Sequence, residues 1–139
     1  MRALGLDLGS RRIGVAVSDR DGRVATPIET LTRARRHELD HEAIATLVGE
    51  WDAEVVVVGL PLSLDGTAGP AARAVLDEVD ELSRVISVPV ETVDERFTTV
   101  SAAHHLREAG VRGRARTKVI DQAAAVVLLQ TWLERKSET

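Results

Sequence analysis

The stretch ALGLDLGSRRIGVAVSD, residues 3–19, decides the fold. Leu4, Leu6 and Leu8 alternate with Ala3, Gly5, Asp7 and Gly9. A period of two is the mark of a strand. Ile13, Val15 and Val17 then alternate with Gly14, Ala16 and Ser18, and the short turn Gly9-Ser10-Arg11-Arg12 between the two runs suits a hairpin. One face of this hairpin is bulky. The other is built of small residues and one acid, Asp7. A carboxylate inside an apolar strand is costly unless it is paired, hydrogen-bonded or bound to metal.

Working outward, a third strand is expected over Val24 to Leu31, after the Asp21-Gly22 turn. Pro27 within it predicts an edge strand or a bulge. Helical spacing follows from His37 to Glu50, with Leu39, Ile44, Leu47 and Trp51 near one face. Glu54 to Gly59 contains VVVV, the pattern of a strand buried on both sides. After the loop from Gly59 to Thr67, a helix is expected from Ala68 or Pro70 to Val85. Val75, Val79 and Leu82 should face inward, and Asp77, Glu78, Asp80 and Glu81 outward. Val88 to Val93 reads as a fifth strand. Thr98 can start a helix that Gly110 ends, and a last helix should run from about Thr117 to Arg135. This order predicts an α/β fold: a five-stranded mixed sheet, flanked by helices, in which an antiparallel three-strand meander is joined by two parallel strands. It predicts a single domain over residues 1–139.

Composition narrows the function classes. Hydrophobic residues are 44% and charged residues 29% of the 139, as in a globular soluble chain with one sizeable core. Aromatics are only 2%, so nucleic acid would be gripped through phosphates rather than stacked bases. The absence of cysteine excludes disulfides, zinc–thiolate sites and thiol nucleophiles. Met1-Arg2 leads directly into strand pattern, so neither a signal peptide nor a membrane span is expected, and the expected location is cytoplasmic. The net charge of −4 disfavours a polyanion partner only if charge is spread evenly. It is not: basic residues cluster at Arg11 and Arg12, at Arg33, Arg35 and Arg36, and in REAGVRGRARTK from Arg107 to Lys118.

Two more acids join Asp7. Glu95 follows the fifth strand, and Asp121 lies at helical spacing from Ala125, Leu128 and Trp132, a stripe that should be buried. Sites in open α/β sheets gather where strand ends diverge, and the topology can bring all three acids to one edge. Three like charges in one pocket repel, and Mg²⁺ or Mn²⁺ would relieve this, since hard cations prefer oxygen ligands. Two such ions, about 3.5–4 Å apart, can clamp a phosphodiester. Each acid also has a plainer reading. Asp7 could cap the Gly9-Ser10 turn, Glu95 could pair with Arg96, and Asp121 could favour a helix dipole. Asp94 competes with Glu95, because strand alternation near an end is uncertain by one residue.

Four segments carry a resemblance: DLGSRRIGVAVSD (Asp7 to Asp19), VVVVGLPLSLDGTAG (Val55 to Gly69), VDERFTT (Val93 to Thr99) and KVIDQAAAVVLLQ (Lys118 to Gln130). Together, in order and across essentially the whole chain, they resemble the YqgF family. These are bacterial ribonuclease-H-like proteins assigned to pre-16S rRNA cleavage and earlier to Holliday-junction resolution. The resemblance implies a ribonuclease-H-like fold. It also implies metal-dependent endonucleolytic hydrolysis of phosphodiester bonds, in 5′-end maturation of pre-16S rRNA. It implies Asp7, Glu95 and Asp121 as catalytic and metal-binding residues, with Mg²⁺ or Mn²⁺, two ions, as cofactor. Expected substrate contacts are Arg11, Arg12, Gly59, Pro61, Arg96, Arg112, Arg114, Arg116 and Lys118. The expected partner is structured RNA or branched DNA, and no membrane. A Holliday-junction resolvase would use the same chemistry and favour a homodimer that cuts two strands symmetrically. The alternative from another class is a non-catalytic nucleic-acid-binding or regulatory module. The first hairpin also resembles the phosphate-binding hairpin of actin-like ATPases, but those need two such domains around a nucleotide.

Other residues have readings of their own. Arg96 could meet a phosphate or simply Asp94. Thr98 and Thr99 read as helix-start residues. His37 and His41 have zinc-ligand spacing, yet their neighbours suggest a solvated face. His104 and His105 could place a proton donor near the cleft, though a surface role is the favoured reading.

Overall fold

The structure, a computed structural model, describes residues 1–96 and 114–137, with side chains for 1–96 and 122–137. Five strands form one sheet: β1 (Ala3–Leu8), β2 (Arg12–Ser18), β3 (Ala25–Thr32), β4 (Val55–Leu60) and β5 (Val90–Asp94). Their spatial order is β3-β2-β1-β4-β5. β1 pairs antiparallel with β2 and β2 with β3, whereas β1–β4 and β4–β5 are parallel. The meander and the two crossover strands are therefore those read from the sequence, with ends shifted by a residue or two. Pro27 satisfies both expectations: β3 is an edge strand, and its pairing with β2 slips between Val15 and Ala16, opposite Glu29 and Pro27.

Helices α1 (His37–Glu50) and α2 (Pro70–Ser83) cover one sheet face, and α3 (Arg114–Ser137) covers the other. Strand alternation sorts the core. Leu4, Leu6, Ile13, Val15, Val17, Val56 and Val58 pack with Ile44, Leu47, Val75 and Leu82. Ala3, Ala16, Val55, Val57 and Val93 pack with Ala125, Leu128, Leu129 and Trp132. The small face of the hairpin is thus the one that lets α3 lie close. A Cβ on Gly5 would stand 2.8 Å from Leu129 Cβ and 3.3 Å from the Ala125 carbonyl oxygen, so only glycine admits the helix there. Gln130 fixes the same helix to β3, accepting from Ala25 N at 3.0 Å and donating to Arg23 O at 2.8 Å.

Three expectations need correction. Leu39 is exposed, and the inward face of α1 is Asp40, His41, Ile44, Leu47 and Val48. Glu78, expected in solvent, is buried beside Val75 and Leu82 on α2. The reason is shared: Arg33 lies between the two helices and offers these polar groups a partner. Finally, the last helix starts at Arg114 rather than about Thr117, so Arg114 and Arg116 lie in α3 with Lys118. Gly113 is the last breaker, and the alanine, arginine and lysine after it are good helix formers. The helix expected from Thr98 to Ala109, with His104 and His105, lies outside the described residues. No helix among the described residues is long and apolar enough to cross a membrane.

Candidate active site

Asp7 is the fifth of six residues in β1 and is buried, 3% exposed. It pairs with Gly14 of β2. On the other side, Leu6 of β1 is in register with Val58 of β4, so one further step sets Gly59 beside Asp7. Both of its lateral neighbours therefore lack a side chain. Glu95 follows β5 directly, and its backbone N–H donates to Leu60 O at 3.3 Å, extending the ladder by one step. Its side chain is also 3% exposed. A Cβ on Gly59 would lie 2.7 Å from Glu95 Oε2. The Glu95 carboxylate thus lies over Gly59, on the face that carries Val57 and Val93 and, by alternation along β1, Asp7. Two acids from distant parts of the chain share one face at one end of the sheet.

The backbone of α3 carries position 121 toward the same end. The Ala125 carbonyl stands over Gly5. From Gly5 to Asp7 is two strand steps, about 6.6 Å. From Ala125 back to Asp121 is four helix steps, about 6 Å. Leu133 lies at the opposite end, by Gly22, so the helix runs against β1 and position 121 reaches the level of Asp7. The Asp121 side chain lies outside the described residues.

Asp94 and Glu95 have different surroundings. Asp94 accepts from Arg96 N at 2.9 Å and from Arg96 Nε at 3.1 and 2.8 Å, and its Oδ2 lies 2.7 Å from Arg96 Nη2. The Arg96 bond holds the Asp94 carboxyl below its usual range. Arg96 also donates to Leu64 O at 3.4 Å and lies against Gly66, whose φ of +88° admits no side chain without strain. The loop after Pro61 is closed on itself: Gly66 N donates to Ser63 O, and Thr67 N and Oγ1 both donate to Asp65 Oδ1. Those bonds hold the Asp65 carboxyl low. Arg96 therefore braces this loop against β5, beside Glu95. Arg11 is exposed in the β1–β2 turn, and Arg12, half-buried, opens β2. Arg112 lies outside the described residues, and Arg114, Arg116 and Lys118 begin α3, whose side chains are described only from residue 122.

A buried polar cluster escaped the sequence reading. Arg33 Nη1 and Nη2 grip Glu78 at 2.6 and 2.7 Å, and Nη1 reaches Asp40 at 3.1 Å. His41 Nε2 lies 2.9 Å from Glu78 Oε2. Burial alone would raise the Glu78 carboxyl, but the bonds from Arg33 and His41 outweigh it and hold it below its usual range. The signal was in plain view: Glu78 stands three after Val75 and four before Leu82, an acid on an apolar stripe, as Asp121 is. His37, His41 and Glu78 offer ligand atoms within 4.8 Å of one another. The Arg33 fork already takes both Glu78 oxygens, so an arginine supplies the positive charge that a metal ion would bring.

A sheet of this order, with acids gathered on its α3 face, defines the ribonuclease-H-like class. Thermus thermophilus RuvC shares the fold, with TM-score 0.54 and 16% identity, covering 100% of this chain and 98% of that one. The T. thermophilus RuvC complex with a Holliday junction substrate matches equally, at 0.54, 20%, 99% and 96%. The family is fixed by sequence. The model of the family described as "RuvX: Holliday junction resolvase" matches residues 1–135. A Mycobacterium ulcerans protein named "Putative pre-16S rRNA nuclease" is 52% identical over 136 residues, 97% of this chain and 79% of its own. A Nocardia farcinica protein of the same name is 50% identical over 142 residues, 98% and 79%. The chain belongs to this family, the YqgF family that its motifs resemble, and is by class a nuclease, a hydrolase of phosphodiester bonds.

Proposed function

We propose that this chain is a divalent-metal-dependent endonuclease for structured RNA, with the 5′ end of precursor 16S rRNA as its target. The observation that carries this reading is the placement of Asp7 and Glu95, both buried, on one sheet face, with side-chain-free Gly14 and Gly59 beside Asp7 and the Glu95 carboxylate over Gly59. The donor set fits the ion: carboxylate oxygens suit Mg²⁺ or Mn²⁺, and like charges on one face gain from a cation. The space a Cβ would fill at Gly59 is taken by the Glu95 carboxylate itself. Asp7, Glu95 and Asp121 would hold the metal, two ions in all. When bound, it supplies charge for the scissile phosphate and a more acidic water. The protein does the rest. The glycines keep the floor of the site open. Arg96, tied to Asp94, keeps the Pro61 loop in place beside Glu95. Arg11 and Arg12 hold flanking phosphates, and the basic run of Arg112, Arg114, Arg116 and Lys118 supplies further phosphate contacts.

The family description and the RuvC fold favour a second substrate for the same chemistry, a four-way DNA junction. That reading brings a two-fold homodimer, measurable by sedimentation. The deciding experiment offers labelled precursor 16S rRNA and junction DNA to the purified protein, with Mg²⁺, Mn²⁺ or chelator. Asp7→Asn, Glu95→Gln and Asp121→Asn are run beside it. Metal-dependent cutting of the RNA, lost in each variant, is expected. Cutting that survives Asp7→Asn would remove the proposed site. Preference for the junction would reassign the substrate.

A further inference from the structure

The loop between β3 and α1 holds three arginines with different fates. Arg33 turns inward: its Nε donates to Gly9 O at 2.9 Å, and its fork takes Glu78 and Asp40. The loop backbone is pinned on both sides. Arg33 N donates to Arg11 O at 2.9 Å, Ala34 N to Asp40 Oδ1 at 2.9 Å, and Leu39 N to Arg36 O at 3.1 Å. Arg35 and Arg36 are left exposed.

This bonding joins two basic runs that are over twenty residues apart in sequence. Arg35 and Arg36 come to lie on a turn hydrogen-bonded to the one bearing Arg11 and Arg12. Among the described residues, none of these four side chains makes a hydrogen bond or an ion pair. Arg84 and Arg96, by contrast, each hold an aspartate. In a chain of net charge −4, four unneutralised cations on two adjoining turns are a local excess. They stand at the sheet end that carries Asp7 and Glu95. The end of β3 is two strand spacings from Asp7, about 10 Å, and Arg35 and Arg36 follow it by three and four residues.

We propose that the β3–α1 loop is a second phosphate-gripping element. Arg35 and Arg36, beside Arg11 and Arg12, hold backbone phosphates of the nucleic acid a few nucleotides from the bond being cut. Arg33 is a positioning residue that sets this rim against the Asp7 hairpin. The identity of the polyanion rests on the nuclease reading above; the placement of the arginines does not.

The test compares Arg35→Ala/Arg36→Ala with Arg20→Ala/Arg23→Ala, which removes the same charge from the opposite end of the sheet. Binding of a labelled structured RNA and of a DNA duplex is followed by fluorescence anisotropy across a salt series, beside cleavage. The first pair should weaken binding roughly tenfold at low salt and flatten the slope of log affinity against log salt by about 1–2. The maximal cleavage rate at saturating substrate should hold. An unchanged slope, or equal flattening by the control pair, overturns the proposal. Arg33→Lys keeps the charge but not the fork. It should weaken binding severalfold well below its melting temperature, and unchanged affinity there overturns the positioning role. The two readings fail separately. Wild type that binds but never cuts, with the slope still dependent on Arg35 and Arg36, sinks the nuclease and keeps the grip. Cutting lost in Asp7→Asn, with the slope indifferent to the loop, does the reverse.

Discussion

Gly59→Ala separates stability from activity at the candidate site. The new Cβ would stand 2.7 Å from Glu95 Oε2 and 3.0 Å from Leu128 Cδ2. Comfortable contact needs about 3.5 Å, so the carboxylate must retreat by roughly 0.8 Å. Both obstructing atoms are ends of flexible side chains and can swing aside. The stability cost is therefore about 1 kcal/mol, the low end for overpacking. Activity should suffer far more, since a misplacement of about 1 Å costs on the order of 10²-fold. Gly5→Ala is the contrast. Its Cβ meets Leu129 Cβ at 2.8 Å and the Ala125 carbonyl oxygen at 3.3 Å, and no rotation moves either. All of α3 must shift, at about 3 kcal/mol. Gly49, near the end of α1 with nothing within 4 Å, should gain about 0.5–1 kcal/mol as alanine. Urea unfolding and metal-dependent cleavage at one temperature read both quantities. Full activity in Gly59→Ala would refute the placement of Glu95 over Gly59 as a catalytic one. A stability loss matching that of Gly5→Ala would refute the argument from flexible side-chain ends.

The buried cluster makes two further predictions. Arg33→Met leaves Asp40 and Glu78 buried without the fork and should cost about 3–5 kcal/mol in urea unfolding, with Arg33→Met/Glu78→Leu costing less than the sum of the single changes; strict additivity would refute the coupling. Glu78 is held below its ordinary 4.5 in the fold, so its contribution is fully present above that value and is lost as pH falls through the folded value. Asp19, Asp65 and Asp94 share this sign, so the measurement is the difference in acid unfolding between wild type and Glu78→Gln. The variant should lose part of the acid dependence, and identical curves would refute the assignment.

What could be read from the chain followed from local period. Alternation of Leu4, Leu6 and Leu8 with Gly5 and Asp7 is a property of a strand wherever it lies; that α3 covers the small face was left to the fold. The stripe Ala125, Leu128 and Trp132 is a property of a helix, and it is buried as expected. Asp7 stood out because an acid broke a short local pattern. Glu78 broke a pattern equally, but three acids nearby on the same helix disguised it as a solvated face.

The five strands, the helices between and after them among the described residues, the sheet class and the family were all legible in the chain, because side-chain periodicity and motif spacing are one-dimensional quantities. Three-dimensional packing was needed to show which of Asp94 and Glu95 lies over Gly59, that Arg33 turns inward while Arg35 and Arg36 stay out, and that the turn of Arg11 meets the loop of Arg36. Those facts depend on register between strands and on which partner a buried charge finds across the fold. Such partners are set by packing in three dimensions, and no local pattern encodes them.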